Sequence, residues 1–462
     1  MLIFSIWLIT VVASTFLFQK ASGSLSPLKP NMISIVYYYS FFISSYIGGL
    51  LIALGIDKYY MINRMDHEEF RLIGFLLLTL MMLLFPAIQL LVNRVFQFNS
   101  QKELNHYLIL PVRISRDKNK IFFTIVFFIF SMISVLAVAY TLIKTGTVPL
   151  FELLKGNTSD LALLRIEAAR NFNGNVLIRN IFGIALTPLL SIVAYLYAAT
   201  TKDLLWKTNF YMLFISSVLI STYDLAKSPI FFYVMMLILA RFYAHKLVLN
   251  ARRIAGYGIV AALLLIMMYV SIQGVTGISS YLQYSSGPVG RIILAQIAPF
   301  FLHLDVFSFS MDHLGIRSLP SFVVNLFDVE QVRSARIVME NIFPENVDKG
   351  TAGVLNTVFL GEAFASAGYL GVLIAIIYVA IVVQILYVAF LRLPKTPAVI
   401  ALFIYFTINI PRTLVGGVSD FLFNPIWLMI TLLLAGFLFL EQYFAGTYSF
   451  ILRKLGFDKE KL

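Results

Sequence analysis

Apolar runs recur along the chain, each long enough to cross a bilayer as a helix, which takes about 18–20 residues. They lie near 2–18, 32–54, 72–92, 121–143, 176–200, 209–223, 229–245, 254–272, 369–391, 398–412 and 426–446. The pattern predicts an all-α polytopic membrane protein of about eleven transmembrane helices, or ten to twelve, since a short or Gly-broken run can be re-entrant. The first run reads as a span rather than a signal peptide, because it lacks a basic leader and Lys20 follows it.

Between the runs, the polar residues are unevenly distributed. The segment with Arg94, Lys102, Arg113, Arg116, Lys118 and Lys120 is basic, and basic loops stay in the cytoplasm. Alternation then places Lys202/Lys207, Lys246/Arg252/Arg253, Arg392/Lys395 and the tail with Arg453, Lys454, Lys459 and Lys461 inside as well. The N-terminus is thus expected outside and the C-terminus inside. Two longer segments fall on the outer face: a loop at 144–175, and a large loop at 273–368 between the eighth and ninth spans. The large loop holds amphipathic and re-entrant candidates. No internal repeat or low-complexity linker interrupts 1–462, which reads as one transmembrane domain with an external cap.

Composition narrows the class. At 60% hydrophobic and 13% charged, no soluble domain of 462 residues hides so much apolar surface. The absence of cysteine removes disulfides, thiolate ligands and thiol nucleophiles. A net charge of +12 spread over short loops reads as topology and contact with membrane lipid, and no nucleic-acid partner is expected. There is no Walker loop, GxSxG elbow or HExxH; the HEEF at His67 has no second histidine. Nor is there an Asp-x-Asp pair to hold a metal on a nucleotide sugar. The expected chemistry is metal-independent, needs no cofactor, and starts from an activated donor.

The external segments carry cations against the topological bias: Arg165, Arg170, Arg179, Lys227, Arg291, Arg333, Arg336 and Arg412. An anionic substrate such as a lipid-linked pyrophosphate would explain them. Arg291 follows Gly287, Pro288 and Gly290 at a helix start, an arrangement that suits phosphate oxygens or, equally, a capping turn with a snorkelling side chain. Arg333 and Arg336 share a predicted helix face, with Glu330 and Glu340 at pairing distance, so solvated ion pairs compete with substrate contact. Arg165 belongs either to a surface helix or to a loop folded over a cavity. In YDLAKSP, Asp224 and Lys227 stand at helical spacing, as a neutralised pair or with Lys227 facing an anion. Glu362 interrupts the small-residue stretch FLGEAFASAGYLG. Helix packing explains the glycines and alanines there but not the acid, which is a candidate base or an orienter of an arginine. His303 and His313 are rival bases, and Asp224 stands with Glu362 and His303 as a candidate catalytic residue.

The number of spans, the large late external loop, DLAKSP at a span junction and FLGEAFASAGYLG entering a crossing together resemble the Wzy-type O-antigen and capsule polymerases. The resemblance implies a GT-C-like glycosyltransferase in a bacterial inner membrane. Such an enzyme joins undecaprenyl-pyrophosphate-linked oligosaccharide repeat units at the outer face, with a lipid pyrophosphate as leaving group and a chain-length regulator as partner. It also implies pyrophosphate-binding cations, here Arg165, Lys227 and Arg291 in the first place. Two other classes share much of this layout: an O-antigen ligase, which transfers glycan to a lipid core, and a lipid-linked oligosaccharide flippase.

Overall fold

The computed structural model describes residues 1–56, 58–114, 120–156, 161–170, 172–273, 283, 287–348, 352–417 and 424–436. Among these residues all regular structure is helical. Eight helices are long and apolar enough to cross a membrane: Leu2–Ser22, Met32–Ala53, Glu69–Val95, Phe123–Lys144, Ile178–Thr201, Leu204–Thr222, Phe359–Arg392 and Pro397–Leu414. The other three apolar runs also fall on helices, Lys227–Tyr243, Ala251–Gln273 and Pro425–Gly436. Residues 437–446 of the last expected span, Arg116, Lys118 and the tail cations lie outside the described residues.

The exposed faces of these helices are apolar too. In Glu69–Val95, Phe75, Leu78, Met82 and Phe85 are buried while Leu72, Leu76, Leu80 and Leu91 are exposed. A helix that is hydrophobic all round and still exposed on one side needs an apolar solvent. The chain is a polytopic membrane protein.

Two compact units divide the chain. Unit 1 comprises Met1–Tyr107, Val275–Arg392 and Phe406–Asn424, and unit 2 comprises Leu108–Gly274, Leu393–Tyr405 and Pro425–Leu462. In unit 1 the Glu69–Val95 helix packs against both Leu2–Ser22 and Phe359–Arg392, and the short helix Ala298–Asp305 packs against Glu69–Val95 and Phe359–Arg392. Phe18, Phe41 and Phe85 meet in its centre at ring separations of 4.8–6.1 Å. The first helix ends inside protein, so its last carbonyls need donors. Ser100 donates to Lys20 O (2.6 Å), Asn93 and Gln384 to Ala21 O (3.2 Å each), and Tyr387 to Ser22 O (2.7 Å). Gly23 completes the stop in a left-handed conformation (φ 84°), where a Cβ would lie 2.4 Å from Ser100 O.

In unit 2 the helices Phe123–Lys144, Ile178–Thr201, Leu204–Thr222 and Lys227–Tyr243 pack together, and Trp206 of the third is buried against the first two. Its indole stacks on Tyr197 at 4.2 Å and meets Phe127 at 5.0 Å. Hydroxyls and amides tie the helices together, as between Ser191 and Tyr233 (2.9 Å) and from Asn209 Nδ2 to Ser131 Oγ (3.2 Å).

Three stretches wind as π-helix: Val36–Tyr46, Ile178–Leu186 and Val306–Ser310. Hydroxyls bond five residues back at Ser45→Ser40 O (2.7 Å) and Thr187→Phe182 O (2.8 Å). Such widened turns recur at functional sites. Each of the three adjoins a polar cluster described below.

Candidate functional site

Glu362 sits on the short first limb of a broken helix in unit 1. Within Phe359–Arg392 the backbone leaves helical geometry at Ala367 (φ −149°, ψ 29°) and Gly368 (φ 62°, ψ −146°). The Gly368 conformation is open to glycine and disfavoured for other residues. The limb 359–366 and the long helix 369–392 are therefore separate helices, and the break falls where the apolar run of the span begins. Irregular backbone of this kind in a membrane protein is confined to protein interiors and cavities. The limb is fastened at its end. Leu314 N–H donates to Ala365 O (2.8 Å), Ser318 Oγ bonds Ser366 Oγ (2.8 Å), and the exposed His313 ring meets Phe364 edge-on at 5.4 Å.

The Glu362 side chain is buried, with 6% of the residue exposed. Its carboxylate lies against the backbone of Gly417, which has φ 143°. A Cβ built on Gly417 would stand 2.5 Å from the carboxyl carbon. Gly417 closes the turn that follows Arg412, so the acid and the arginine-bearing segment converge within unit 1. Arg412 Nη1 donates to Asn409 Oδ1 (3.1 Å), and its charge acts on Tyr39 in the first π stretch. The adjacent Ser40 Oγ donates to Pro411 O (2.8 Å) and anchors the same turn.

Of the expected bases, His303 is sealed in the core with no exposed surface. Its Nδ1 donates to Pro299 O (2.7 Å), Nε2 has no partner among the described residues, and burial pushes its pKa down to about 4. In this position it cannot take a proton from a substrate hydroxyl.

Arg333 and Arg336 do not share a helix face. The helix is Ser334–Ile342, and Arg333 precedes it in extended conformation. Arg336 pairs with Glu340 as the spacing predicts, whereas Arg333 donates to Asn356 Oδ1 (3.1 Å) instead of meeting Glu330. Arg336 also donates to Ala352 O (3.2 Å). Both arginines bond to the irregular segment 352–358 that leads into the Glu362 limb. Arg291 is exposed on the six-residue helix Pro288–Ile293, whose Gly290 is buried.

Unit 2 has its own polar cluster. The helix Leu204–Thr222 ends before Asp224, and the next begins at Lys227. Between them Leu225 adopts φ 55°, so Asp224 and Lys227 are not one helical turn apart as their spacing suggests. The Asp224 carboxylate accepts the Ala226 N–H (3.0 Å), and its backbone carbonyl accepts Arg165 Nε–H (3.2 Å). Arg179, in the second π stretch, lies 4.5 Å over the Phe172 ring and hydrogen-bonds Tyr223. Its Nη1 is buried and has no hydrogen-bond partner among the described residues, an arrangement suited to receiving an anion's oxygen. The side chain of Arg170 lies outside the described residues.

A further group in unit 1 joins the His67 of the HEEF stretch to Asp305. The buried carboxylate of Asp305 accepts the Asp66 N–H (2.6 Å) on one oxygen and His67 Nδ1–H (2.6 Å) on the other. That bond, seconded by the charges of Asp305, Glu69 and Asp66, raises the His67 pKa against a smaller opposing effect of burial. The imidazole stacks on Phe309 at 4.1 Å. A cavity of about 410 Å³ shares Asp66 and Asp305 and is lined also by Arg64, Ser310, Asn341 and Glu345. The partners are 238 residues apart; the only local signal is an acidic HEE just before a membrane helix.

No family model, no curated protein and no solved structure matches the chain.

Proposed function

We propose that the protein is a polysaccharide polymerase of the outer face of a bacterial inner membrane. It joins lipid-pyrophosphate-linked oligosaccharide repeat units, with about eleven crossings, the N-terminus outside and the C-terminus inside. The observation that carries this reading is the convergence of a buried acid, on a helix broken at Gly368, with the turn that follows Arg412. An ionisable group is expensive at such a position and is retained where it serves a substrate path.

The chemistry asks for two things. When the anomeric carbon–oxygen bond breaks, negative charge grows on the departing pyrophosphate, and fixed cations stabilise it most strongly where water is excluded. Arg291 and Arg412 are the cations of unit 1 assigned to it; Arg165, Lys227 and Arg179, whose buried Nη1 has no hydrogen-bond partner among the described residues, form the separate cationic group of unit 2. Arg333 and Arg336 support the loop instead. An acceptor hydroxyl must also be held in line with the breaking bond. Glu362, sealed against Gly417, is assigned to positioning the Arg412 turn rather than to taking a proton from an exposed hydroxyl. Apolar grooves between helices take the polyprenyl chain.

Deleting the gene and resolving surface glycan on a gel tests the class. A single repeat unit on the lipid core is the expected pattern. Full-length polymer retained on its lipid carrier indicates a ligase instead, and repeat units missing from the outer face indicate a flippase. Sidedness has its own measurement: reporter fusions at 160 and 330 are expected outside, and those at 105 and 250 inside. An inside signal at 330 removes the external site.

A further inference from the structure

We propose that His67, held by Asp305, is the base that receives the acceptor-sugar proton, and that the adjoining cavity binds that sugar. The proposal rests on the polymerase reading and names the acceptor half of its site.

Asp305 is fixed at both oxygens by Asp66 N–H and His67 Nδ1–H and is only 4% exposed. A buried carboxylate bonded in this way holds the ring in one tautomer, with Nε2 as the basic nitrogen, and stabilises the imidazolium that forms. The His67 side chain remains 39% exposed, and Nε2 has no hydrogen-bond partner among the described residues. Of the two histidines expected as bases, His303 is sealed in the core and His313 is exposed with its ring against Phe364; His67 is both oriented by a carboxylate and open.

The surroundings select the ligand's chemistry. Phe309, stacked on His67, is itself 60% exposed and offers an apolar shelf for the C–H face of a sugar ring. The cavity wall presents Ser310, Asn341 and Arg64 as donors, and Asp66 and Glu345 as acceptors. Arg64 is already paired with Glu345 and bonded to Ile342 O (2.7 Å). With Asp66, Asp305, Glu345 and the nearby Glu69 facing Arg64 and His67, acids predominate. A pyrophosphate is repelled by such a wall, whereas a neutral polyhydroxyl ligand can bond to both kinds of group. The cavity therefore suits the acceptor glycan and not the donor's phosphates.

In the transfer the acceptor hydroxyl proton passes to Nε2, and the oxygen's electron pair forms the new bond to the donor anomeric carbon. The old bond's electron pair leaves with the lipid pyrophosphate. Asp305 acts through His67 and is a positioning residue.

The test uses full-length protein in nanodiscs, lipid-linked repeat units extracted from the host, and the free oligosaccharide released from them by mild acid. His67→Gln is expected to lower kcat by about 10²–10⁴-fold, the range of a lost general base, with little change in acceptor KM. In Asp305→Asn the acid limb of the pH–rate profile is expected to move to lower pH, because the bond that raises the His67 pKa is weakened; a merely structural role leaves the limb in place. Independently of activity, free oligosaccharide is expected to slow carbethoxylation of His67, read by mass spectrometry, while the exposed His106 reacts unchanged. Polymer from the wild type with an unimpaired His67→Gln overturns the base role alone. If that variant does not fold, an unprotected His67 in the wild type overturns the proposal. No polymer from the wild type refutes the polymerase reading, and the base role with it.

Discussion

Membranes carrying Gly417→Ala are expected to hold near-normal amounts of protein and little or no polymer. Two effects act at this residue. Its φ of 143° lies where side chains other than glycine are strained, a cost on the order of 1–3 kcal/mol. A methyl group there would also stand 2.5 Å from the Glu362 carboxyl carbon, inside contact distance. The backbone of the turn is held through Ser40 and Pro411, so the carboxylate is the part that gives way. The substitution therefore displaces the acid without removing it. Glu362→Gln keeps the shape and removes the charge. Losing one charge-assisted contact costs about 1.5–3 kcal/mol, or roughly one to two decades in rate if it acts at the transition state. Combining Gly417→Ala with Glu362→Ala relieves the collision, so the double variant should be no worse than Gly417→Ala alone. Matched protein levels and the chain-length distribution on a gel decide it. Wild-type polymer from Gly417→Ala would detach Glu362 from the reaction.

Unit 2 is expected to become more stable as pH rises from 8 to 10.5, and Lys395→Met is expected to abolish that rise. Lys395 counts as a loop cation by sequence, yet only 1% of it is exposed. Its Nζ donates to Leu110 O (2.7 Å) and lies 3.4 Å from His245 Nε2, and its carbonyl accepts Arg113 N–H (2.9 Å). Burial lowers its pKa from 10.5 to about 8. Below pH 8 both folded and unfolded chains carry the proton, so stability is flat and the folded state bears the full cost of a buried charge. Between pH 8 and 10.5 the unfolded chain alone keeps the proton, and stability climbs by about 1.4 kcal/mol per pH unit at most. The whole rise is on the order of 2–3 kcal/mol. Thermal unfolding in detergent at several pH values reads it. An unchanged slope in Lys395→Met would mean that another group titrates there.

The membrane helices were legible in the sequence because each is a long apolar run, and the runs at 32–54, 121–143 and 398–412 match helices to within two residues. Glu362 was legible for the same reason, as a charge where the surroundings exclude one. What the sequence hid depends on backbone conformations and contacts that leave no periodic trace. Leu225 takes a left-handed conformation that composition does not announce, so Asp224 and Lys227 looked like one helical turn. Arg333 stands before its helix because the chain arrives there extended, and its pairing with Asn356 joins residues 23 apart. His303 looked like an external base until packing sealed it. The His67–Asp305 bond joins residues 238 apart, one before the helix Glu69–Val95 and the other in the large loop, and no local pattern in either segment points to the other. The π stretches, which carry Tyr39 and Arg179, have no spacing signature that separates them from ordinary helix.

The central claim is that this chain alone lengthens a lipid-linked glycan. The most direct measurement is purified protein in liposomes with lipid-linked repeat units, no other protein and excess chelator. A ladder of products, each longer by one repeat unit, with free lipid pyrophosphate released in equal number, is the predicted result. Repeat units that cross the bilayer or pass to a lipid core without lengthening, or a ladder that forms only with added magnesium, would contradict it.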